Sequence, residues 1–411
     1  MGCNPRFSDF FASLRLCVRL FLFAVLLVSA RPATAQDSSD HEPLRKACEY
    51  LWSKQAEDGG WHSEQYAVLR SGQALTPFVL HTLLEVPESI CPRPDGGVER
   101  AFAFIRNHLD EQGALGRADP DILEYPVYST AYTLQCFAKL KGDPQLWREH
   151  DGQLISNMYS FLSAAQFDES HGFDTGHPAY GGWGFDVAQE DGKSGHMDLA
   201  HTRRALQALR ALMPDHGYPQ FTRGELFLRV VQRHPGALAR PATIGRYLHH
   251  RLAIPFDGGF YFSPVVDDAN KGRFAAGVGG RAAPHFRSYA TATCDGILAL
   301  LACGVARDDE RVVRAIQWLK EHEDFDYPEG VPTDHPEPWG EAIRFYHYAV
   351  RAEAYDALDW PGDWRRALSA AVAKHQAADG SFRNSTSALM KEDDPLLCTT
   401  LAVIALSHTV R

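Results

Sequence analysis

The chain contains no basic run. Its 41 Lys and Arg residues are outnumbered by 52 Asp and Glu residues, and the formal net charge at pH 7 is −11. A nucleic-acid surface needs clustered cations to neutralise phosphates, so this balance argues against a nucleic-acid partner. The chain is 45% hydrophobic and 23% charged, which is the composition of a globular protein with one large core or two domains.

Cysteine spacings typical of metal sites are also missing. None of the eight cysteines forms a Cys-x-x-Cys pair, and none has His partners at zinc-finger spacing. Cys136, Cys303 and Cys398 lie in apolar helical runs, where buried free thiols are expected. A disulfide among the six cysteines after residue 35 is the alternative, and the sequence assigns no pair.

The first 35 residues have the pattern of a secretory signal. A positively charged stretch with Arg6, Arg15 and Arg19 precedes an apolar run, 20–28, that is too short for a comfortable membrane span. A small-x-small cleavage site, Ala33-Thr34-Ala35, follows it. We therefore expect segment 1–35 to be removed as a signal peptide.

Cleavage there would leave a single exported domain, 36–411, in the periplasm or outside the cell. No stable membrane span would remain, and an environment outside the cytoplasm permits disulfides. An N-terminal anchor that is retained uncleaved is the alternative.

Alternating strand patterns are absent after residue 43, where helical periodicity dominates. The helices come in pairs at a period of roughly 45–60 residues, which is typical of an array of helical hairpins. The predicted pairs are 43–54 with 75–86, 97–109 with 126–141, 148–166 with 198–213, 223–233 (continued by 242–252) with 288–303, 309–322 with 341–358, and 363–376 with 394–409.

Six such hairpins must stack to bury their apolar faces, either as an open solenoid or as a closed ring. The second helices decide between the two, because 130–140, 293–303 and 398–407 are nearly apolar all round. Helices of that kind are buried on every side, whereas the first helices carry charge on one face, as in 311–320. The pattern predicts an all-α (α/α)6 toroid, with the second helices inside and the first helices outside.

A short turn recurs after several of the first helices. In the first copy Gln55 precedes Asp58-Gly59-Gly60-Trp61, and a Gly pair of this kind permits a tight turn. Similar turns lie at 181–183, 257–260 and 379–382. We expect the Gln to bond the start of the next helix and the aromatic ring to stack on that helix.

These features together resemble the squalene cyclase/protein prenyltransferase repeat superfamily, an α/α toroid group, and its exported members in particular. The 55–61 stretch looks like the QW motif of that group. The other segments that carry the resemblance are 198–202, 289–304, 345–348 and 394–400. The superfamily hosts several chemistries, so the resemblance implies the fold more strongly than the activity.

The acidic motif of the cyclases is not present in this chain. The cyclases of the superfamily that this chain resembles protonate an alkene with the middle Asp of an Asp-x-Asp-Asp-Thr stretch. The nearest match is Asp198-Leu199-Ala200-His201-Thr202, where Ala200 has no proton to give. An N-cap for the third inner helix is therefore the favoured role of Asp198. Asp198, His201 and Asp295 are the candidate catalytic residues if the protein is an enzyme.

The prenyltransferases of the superfamily bind zinc through Asp, Cys and His. Cys294, Asp295 and Cys398 offer two of these ligand types, but not at the family spacing. We therefore predict no metal and no other cofactor, with this zinc set as the alternative.

The inner helices of such a ring all run the same way, so their N-termini meet at one mouth. Unpaired N–H groups there carry partial positive charge, which would attract an anionic group of a ligand. The long loops 168–197 and 256–287 lead into this mouth, and long loops usually carry function. The candidate ligand-binding residues are Arg281, His285, Arg287, Tyr289, Tyr346, His347 and Tyr348.

Three functions fit the sequence. The favoured one is an exported toroid that binds a hydrophobic, lipid-like or isoprenoid-like molecule without protonation-initiated cyclase chemistry; its cavity would be filled by side chains or open. An active isoprenoid-processing enzyme would instead have a closed apolar cavity with an acid inside. A glycan-active α/α-barrel protein would have a polar groove. The sequence names no protein partner.

Overall fold

The structure, a computed structural model, describes residues 41–119, 121–187, 197–213, 217–237, 256–275 and 285–410. The chain divides into two units, Met1–Glu42 and Pro43–Arg411, and the second contains the helical ring. The predicted signal segment and the predicted helix 242–252 lie outside the described ranges.

Helices are the predominant secondary structure of the described chain, as the periodicity predicts. The helices are α1 Glu42–Ser53, α2 Leu75–Glu85, α3 Gly97–His108, α4 Pro126–Leu140, α5 Asp151–Ala164, α6 Leu199–Leu212, α7 Pro219–Val231, α8 Ala290–Ala302, α9 Glu310–Lys320, α10 Trp339–Ala342, α11 Arg344–Ala357, α12 Trp364–Ala373 and α13 Pro395–Thr409. Two short antiparallel ladders complete the elements: β1 Trp183–Gly184 with β2 Met197–Asp198, and β3 Phe274–Ala275 with β4 His285–Phe286.

The inner helices α2, α4, α6, α8, α11 and α13 form a closed ring. Each contacts the next, and the last, α13, contacts α2. The helices α3, α5, α7, α9 and α12 pack on the outside of this ring. The predicted (α/α)6 toroid is therefore confirmed, and the open solenoid is excluded.

The burial of two helices shows why this arrangement follows from the sequence. In α8, every residue except Leu301 is buried, because the helix is surrounded by neighbours. In α9, the buried residues, among them Val312, Ala315 and Leu319, lie on one face, while Val313 on the other face is 48% exposed. No helix in the described part of the chain is long and apolar enough to cross a membrane.

Glutamine side chains fasten four of the hairpins to the hairpin that follows. The Gln55 Nε2 donates to the carbonyl of Gly59, 3.0 Å away, and to the carbonyl of Gly97, 2.8 Å away, at the start of α3. Gln166, Gln232 and Gln376 make the same pair of bonds, to their own turn and to the next outer helix. The glutamine side chain therefore bonds the start of another helix, as predicted, and this helix is the next outer helix of the ring.

The aromatic residue of the turn lies between the two helices of its hairpin. The Trp61 backbone N–H donates to the Thr76 hydroxyl in α2 at 3.0 Å, and its indole N–H donates to the Leu51 carbonyl in α1 at 2.6 Å. The ring thus bonds the preceding helix, which differs from the stacking on the next helix that we expected. Gly59 must be Gly, because its φ is +91° and a Cβ would lie 2.3 Å from the Arg100 carbonyl oxygen.

Candidate functional site

Carboxylates of the chain cap the N-termini of four inner helices. Asp198 accepts from the His201 N–H of α6, and Asp394 accepts from two N–H groups of the first turn of α13. Glu392 accepts from the N–H groups of the second and third residues of α11, at 3.0 and 2.7 Å. Glu124 accepts from the Ala74 N–H at the start of α2. The favoured N-cap role of Asp198 is thus observed.

These caps change the electrostatics expected at the mouth of the ring. The orphan N–H groups that would attract an anion already donate to acidic side chains, which also oppose the positive ends of the helix dipoles. At these four helices the N-termini are therefore already capped, and they do not by themselves form an anion site.

Asp198 and His201 form a buried pair at the start of α6. The Asp198 Oδ2 lies 2.8 Å from the His201 Nδ1, and both side chains are nearly inaccessible. The His201 ring packs edge-on against Tyr128, with ring centroids 4.4 Å apart, and lies near Phe185. The carboxylate fixes the orientation of the imidazole, which is the arrangement that proton-transfer histidines use.

The third candidate acid, Asp295, lies at the centre of the ring and is completely buried. Its Oδ1 accepts from the Arg203 guanidinium at 2.8 Å, and its Oδ2 accepts from the Tyr346 hydroxyl at 2.7 Å. Burial raises the pKa of Asp295 above its ordinary value, although Arg203 and Tyr346 oppose that shift. The structure thus brings together Asp295 and Tyr346, two residues that the sequence singled out separately.

A second ion-paired acid, Glu353, lies beside this group. It binds two neighbouring arginines, since Arg203 approaches its Oε2 at 2.5 Å and Arg204 donates to both of its oxygens at 3.1 and 3.2 Å. Burial works against the charged form, but the two guanidiniums outweigh it and hold the pKa of Glu353 below its ordinary value. The centre of the ring is therefore occupied by charged side chains from α6, α8 and α11.

An axial cavity of about 210 Å³ adjoins these charged groups. Its walls come from α2, α4, α6, α11 and α13, and polar residue types predominate in the lining, although polar and apolar atoms share the wall about equally. The lining residues are His81, Thr82, Glu85, Tyr132, Gln135, Arg204, Gln207, Glu353, Ile404, Ser407 and His408. The Arg204 Nε is buried and has no hydrogen-bond partner among the described residues. Another cavity, of about 360 Å³, lies away from the axis beside Phe221 and Arg311 of the outer helices.

The remaining candidate ligand residues divide between the mouth and the outer wall. His285 lies on β4, and the exposed Arg287 donates its backbone N–H to the Arg273 carbonyl. Tyr289 is buried at the N-cap of α8. Arg281 lies outside the described residues, so its relation to the others stays a prediction.

His347 and Tyr348 point away from the ring axis, unlike their neighbour Tyr346. The His347 Nε2 lies 3.0 Å from the Asp324 carbonyl in the loop before α10, and burial holds its pKa well below the ordinary value. The Tyr348 ring packs against Phe345. Among these consecutive residues of α11, only Tyr346 therefore reaches the central acid.

The alternative zinc ligands do not form a site. Cys294 and Cys398 are buried, and Asp295 is engaged by Arg203 and Tyr346. The described ranges contain no group of three His, Cys, Asp or Glu side chains that could hold a metal ion.

Sequence reasoning did not identify three members of the central group, Arg203, Arg204 and Glu353. A signal for them existed, because two adjacent arginines stand in a predicted inner helix between Ala200 and Ala205. Charged residues on a helix that is buried on every side require a buried counter-charge, and this requirement predicts an acid on a facing helix.

The central group is suited to holding charge and less suited to donating a proton to an alkene. A carboxyl whose pKa is raised is a weaker acid than an ordinary Asp, and Asp295 is also paired with Arg203. At neutral pH such a group can accept or relay a proton, or hydrogen-bond a polar ligand.

No family model matches the sequence, and no curated protein matches it. Solved structures do share its fold. The type II terpene cyclase MstE from Scytonema, in complex with geranylgeranyl dihydroxybenzoate, aligns with a TM-score of 0.51 and 14% identity over 92% of this chain and 99% of that chain. An inactive variant of the α-1,6-mannanase GH76A of Salegentibacter, in complex with α-1,6-mannotriose, aligns with a TM-score of 0.50 and 10% identity over 90% and 99%.

A protein from Actinoplanes aligns with a TM-score of 0.50 and 15% identity over 90% of this chain and 99% of that chain. At such identities the likeness extends to the fold alone, and the fold is hosted by proteins of different chemistry. The resemblance to the cyclase superfamily is thus supported at the level of architecture: the chain has the α/α toroid fold.

Proposed function

We propose that the chain is a ring-shaped binding protein without protonation-initiated cyclase chemistry, and that its axial cavity binds a small polar molecule. The observation that carries this proposal is the ion-paired centre, where Arg203 engages both Asp295 and Glu353. In the stretch that matches the acidic motif of the cyclases most nearly, Ala200 stands in place of the proton donor, and the buried Asp295 is a weaker acid than an ordinary Asp.

The size of the cavity supports a small ligand. Its volume of about 210 Å³ is below the roughly 300–1,000 Å³ typical of pockets for drug-sized ligands. A long isoprenoid chain would need a larger and more apolar chamber, because polar atoms form about half of the wall of this cavity.

The charges of the lining favour an uncharged ligand. Arg204 and Glu353 neutralise each other across the cavity wall, and the Glu85 carboxylate is paired with Lys139 at 2.6 Å. Burial lowers the pKa of His81 to about 4, so its imidazole is neutral at pH 7. Arg204 on the cavity wall carries guanidinium N–H donors, and the Ser407 hydroxyl, which itself donates to the Ile404 carbonyl at 2.9 Å, can accept a hydrogen bond. A hydroxylated molecule, such as a monosaccharide or a small polyol, both donates and accepts and therefore complements this wall.

Thermal unfolding with D-mannose as the probe tests the proposal. We expect the Tm to rise with mannose concentration as mass action requires, and the rise to be lost in Ile404→Phe, which places a larger side chain in the cavity. The matched control is Val313→Phe on the exposed face of α9, which should leave the shift unchanged. An absence of any shift with mannose or glycerol, or a shift that persists in a folded Ile404→Phe protein, would overturn the proposal.

A hydrophobic, isoprenoid-like ligand is the second candidate. It is favoured by the aromatic residues Tyr128 and Phe185 around His201, and by the ligand named for the Scytonema cyclase. This candidate predicts that an isoprenoid diphosphate raises the Tm and that Arg281→Ala with Arg287→Ala abolishes the effect. No shift at high ligand concentration would exclude it.

Export is a further part of the proposal, supported by the signal pattern of residues 1–35. Expression of the full chain in a bacterial host, followed by N-terminal sequencing of the periplasmic fraction, should give Gln36 as the first residue. A cytoplasmic protein that keeps its N-terminus would contradict it.

A further inference from the structure

Lys391, in the loop before α13, carries a cation at the mouth of the ring that no acid of the described chain neutralises. Its ammonium lies over the rings of Tyr66 and Tyr125, 6.0 and 5.9 Å from their centroids, and the side chain is partly exposed. No carboxylate among the described residues pairs with it, whereas the ammonium of Lys139 pairs with Glu85 at 2.6 Å. Aromatic faces therefore place the Lys391 ammonium, and it can still pair with an anion.

Lys271, in the loop before α8, has a similar environment. Its ammonium lies 5.2 Å from the ring centroid of Phe262 and 5.0 Å from that of Trp339, and it donates to the Ala269 carbonyl at 2.8 Å. In the part of the chain that the structure describes, it too has no carboxylate partner. Burial lowers the pKa of Lys271, although the charge of Asp198 opposes this shift, so the protein compensates the charged form only in part.

The backbone that positions Lys391 is strained. Lys391 has a φ of 62°, and Tyr125, over whose ring it lies, has a φ of 48°. Left-handed backbone of this kind is rare outside glycine, and it persists only where the surrounding contacts enforce it, as they often do at ligand sites. Two residues in contact at the mouth therefore share a costly conformation that fixes the position of one ammonium.

The two lysines belong to different sectors of the mouth. The aromatic partners of Lys391 lie in the segments that lead into α2 and α4. The aromatic partners of Lys271 lie beside α6 and α11, since the Leu199 N–H at the start of α6 donates to the Phe262 carbonyl at 2.9 Å and the other ring belongs to α10, directly before α11. An occupant that pairs with both ammonium groups must therefore be extended and carry two separated negative charges.

We propose that the mouth binds a molecule with two separated carboxylates, as an acidic disaccharide has, and that Lys271 and Lys391 pair with these carboxylates. An ammonium is a compact point charge, so two separate lysines suit two single charges better than one concentrated, multiply charged group. Phe185, whose ring centroid is 4.9 Å from that of Tyr125, adds a partly exposed apolar face on which a sugar ring can lie. Neither lysine lines the axial cavity, so this site is separate from the one proposed above.

Isothermal titration calorimetry of the full-length protein with digalacturonate at pH 7 tests the proposal. We expect saturable binding that weakens as the NaCl concentration rises, and no binding of the dimethyl ester, which has the same sugar rings without the charges. Lys271→Met and Lys391→Met remove the charge but keep most of the stem, and each should weaken binding by about tenfold or more. The matched control is Lys320→Met at the exposed end of α9, which should leave binding unchanged.

The cavity variant Ile404→Phe distinguishes this site from the axial one. It should leave digalacturonate binding unchanged even where it abolishes the response to mannose. Binding that is lost in Ile404→Phe but kept in both lysine variants would place the acidic sugar in the axial cavity and overturn the proposal. Absence of digalacturonate binding, equal binding of its dimethyl ester, or tighter lysine-dependent binding of inorganic diphosphate would overturn it as well. The ester and salt comparisons use the wild type, so they decide the question even if a lysine variant does not fold.

Discussion

Replacement of Glu353 by Gln tests the ion-paired centre of the ring. The change keeps the shape of the side chain but removes the charge that balances Arg203 and Arg204, whose side chains are 0% and 6% exposed. Asp295 would then be the only acid of this group left to balance two buried guanidiniums. Removing one partner of a buried ion pair costs about 3–5 kcal/mol, because the remaining charge is left without compensation.

The expected shift in melting temperature follows from the size of the ring unit. With an unfolding entropy of about 2.1 cal/mol/K per residue over residues 43–411, the total is about 0.8 kcal/mol/K. Glu353→Gln should therefore lower the Tm by roughly 4–6 °C. Its free energy of unfolding at pH 7, from guanidinium titration followed by circular dichroism, should fall by about 3–5 kcal/mol.

The pH dependence of this loss has a definite sign. The folded pKa of Glu353 lies below the ordinary 4.5, so its stabilisation is complete above pH 4.5 and is lost as the pH falls through the folded value. The wild type and Glu353→Gln should therefore converge in stability on acidification. A second guanidinium titration, of Glu353→Gln with Arg204→Gln, should show less loss than the sum of the single changes.

The control is Glu49→Gln, which removes an exposed carboxylate whose partner is Arg45. A surface pair of this kind contributes about 0–1 kcal/mol. If Glu353→Gln costs no more than Glu49→Gln at pH 7, the reasoning about a buried, ion-paired centre is refuted.

Three further changes test the caps, the ring closure and the core. Burial raises the pKa of Glu392 to about 7 from 4.5, so its contribution is complete below pH 4.5 and lost as the pH rises to 7. In a pH series of urea titrations, the free energy of unfolding of the wild type should fall by up to about 3 kcal/mol across that window, and Glu392→Gln should not show this fall. A difference between the two proteins that is constant with pH would contradict this. Gln376→Ala breaks the bond to the Pro43 carbonyl, so it should lower the free energy of unfolding by about 1–3 kcal/mol and speed amide exchange in α1. Unchanged stability and exchange would show that the ring closes without this bond. Gly296→Ala places a Cβ 2.4 Å from the Phe260 ring and should cost about 1–3 kcal/mol, and adding Phe260→Leu should recover part of that loss; a neutral single change would show that the ring has room to move.

The helices of the ring could be predicted because their periodicity is local. The nearly complete burial of α8 is visible in its composition, and the turn after α1 is visible in Gln55 and Gly59. The partner of Gln55 was harder to assign, since the bond to Gly97 crosses 42 residues and depends on how outer helices stack.

The interior of the ring depends on distances that the sequence does not contain. Arg203 and Asp295 are 92 residues apart, and they meet because α6 and α8 are neighbours in a closed ring. The same holds for Glu392, whose carboxylate bonds the N–H groups of Phe345 and Tyr346 across 47 and 46 residues. Residue type alone identified Asp295 and Tyr346 as candidates, but it did not show which charged side chains pair with each other. The ion pairs matter because they decide whether a buried acid can donate a proton.

A crystal structure of the wild type soaked separately with D-mannose and with an isoprenoid diphosphate would show which of the two molecules the ring binds. We expect mannose to occupy the axial cavity, within hydrogen-bond distance of the Arg204 guanidinium, while the Arg203–Asp295 pair stays intact. An isoprenoid chain along the ring axis, with Asp295 released from Arg203 and directed at the chain, would contradict the proposed function.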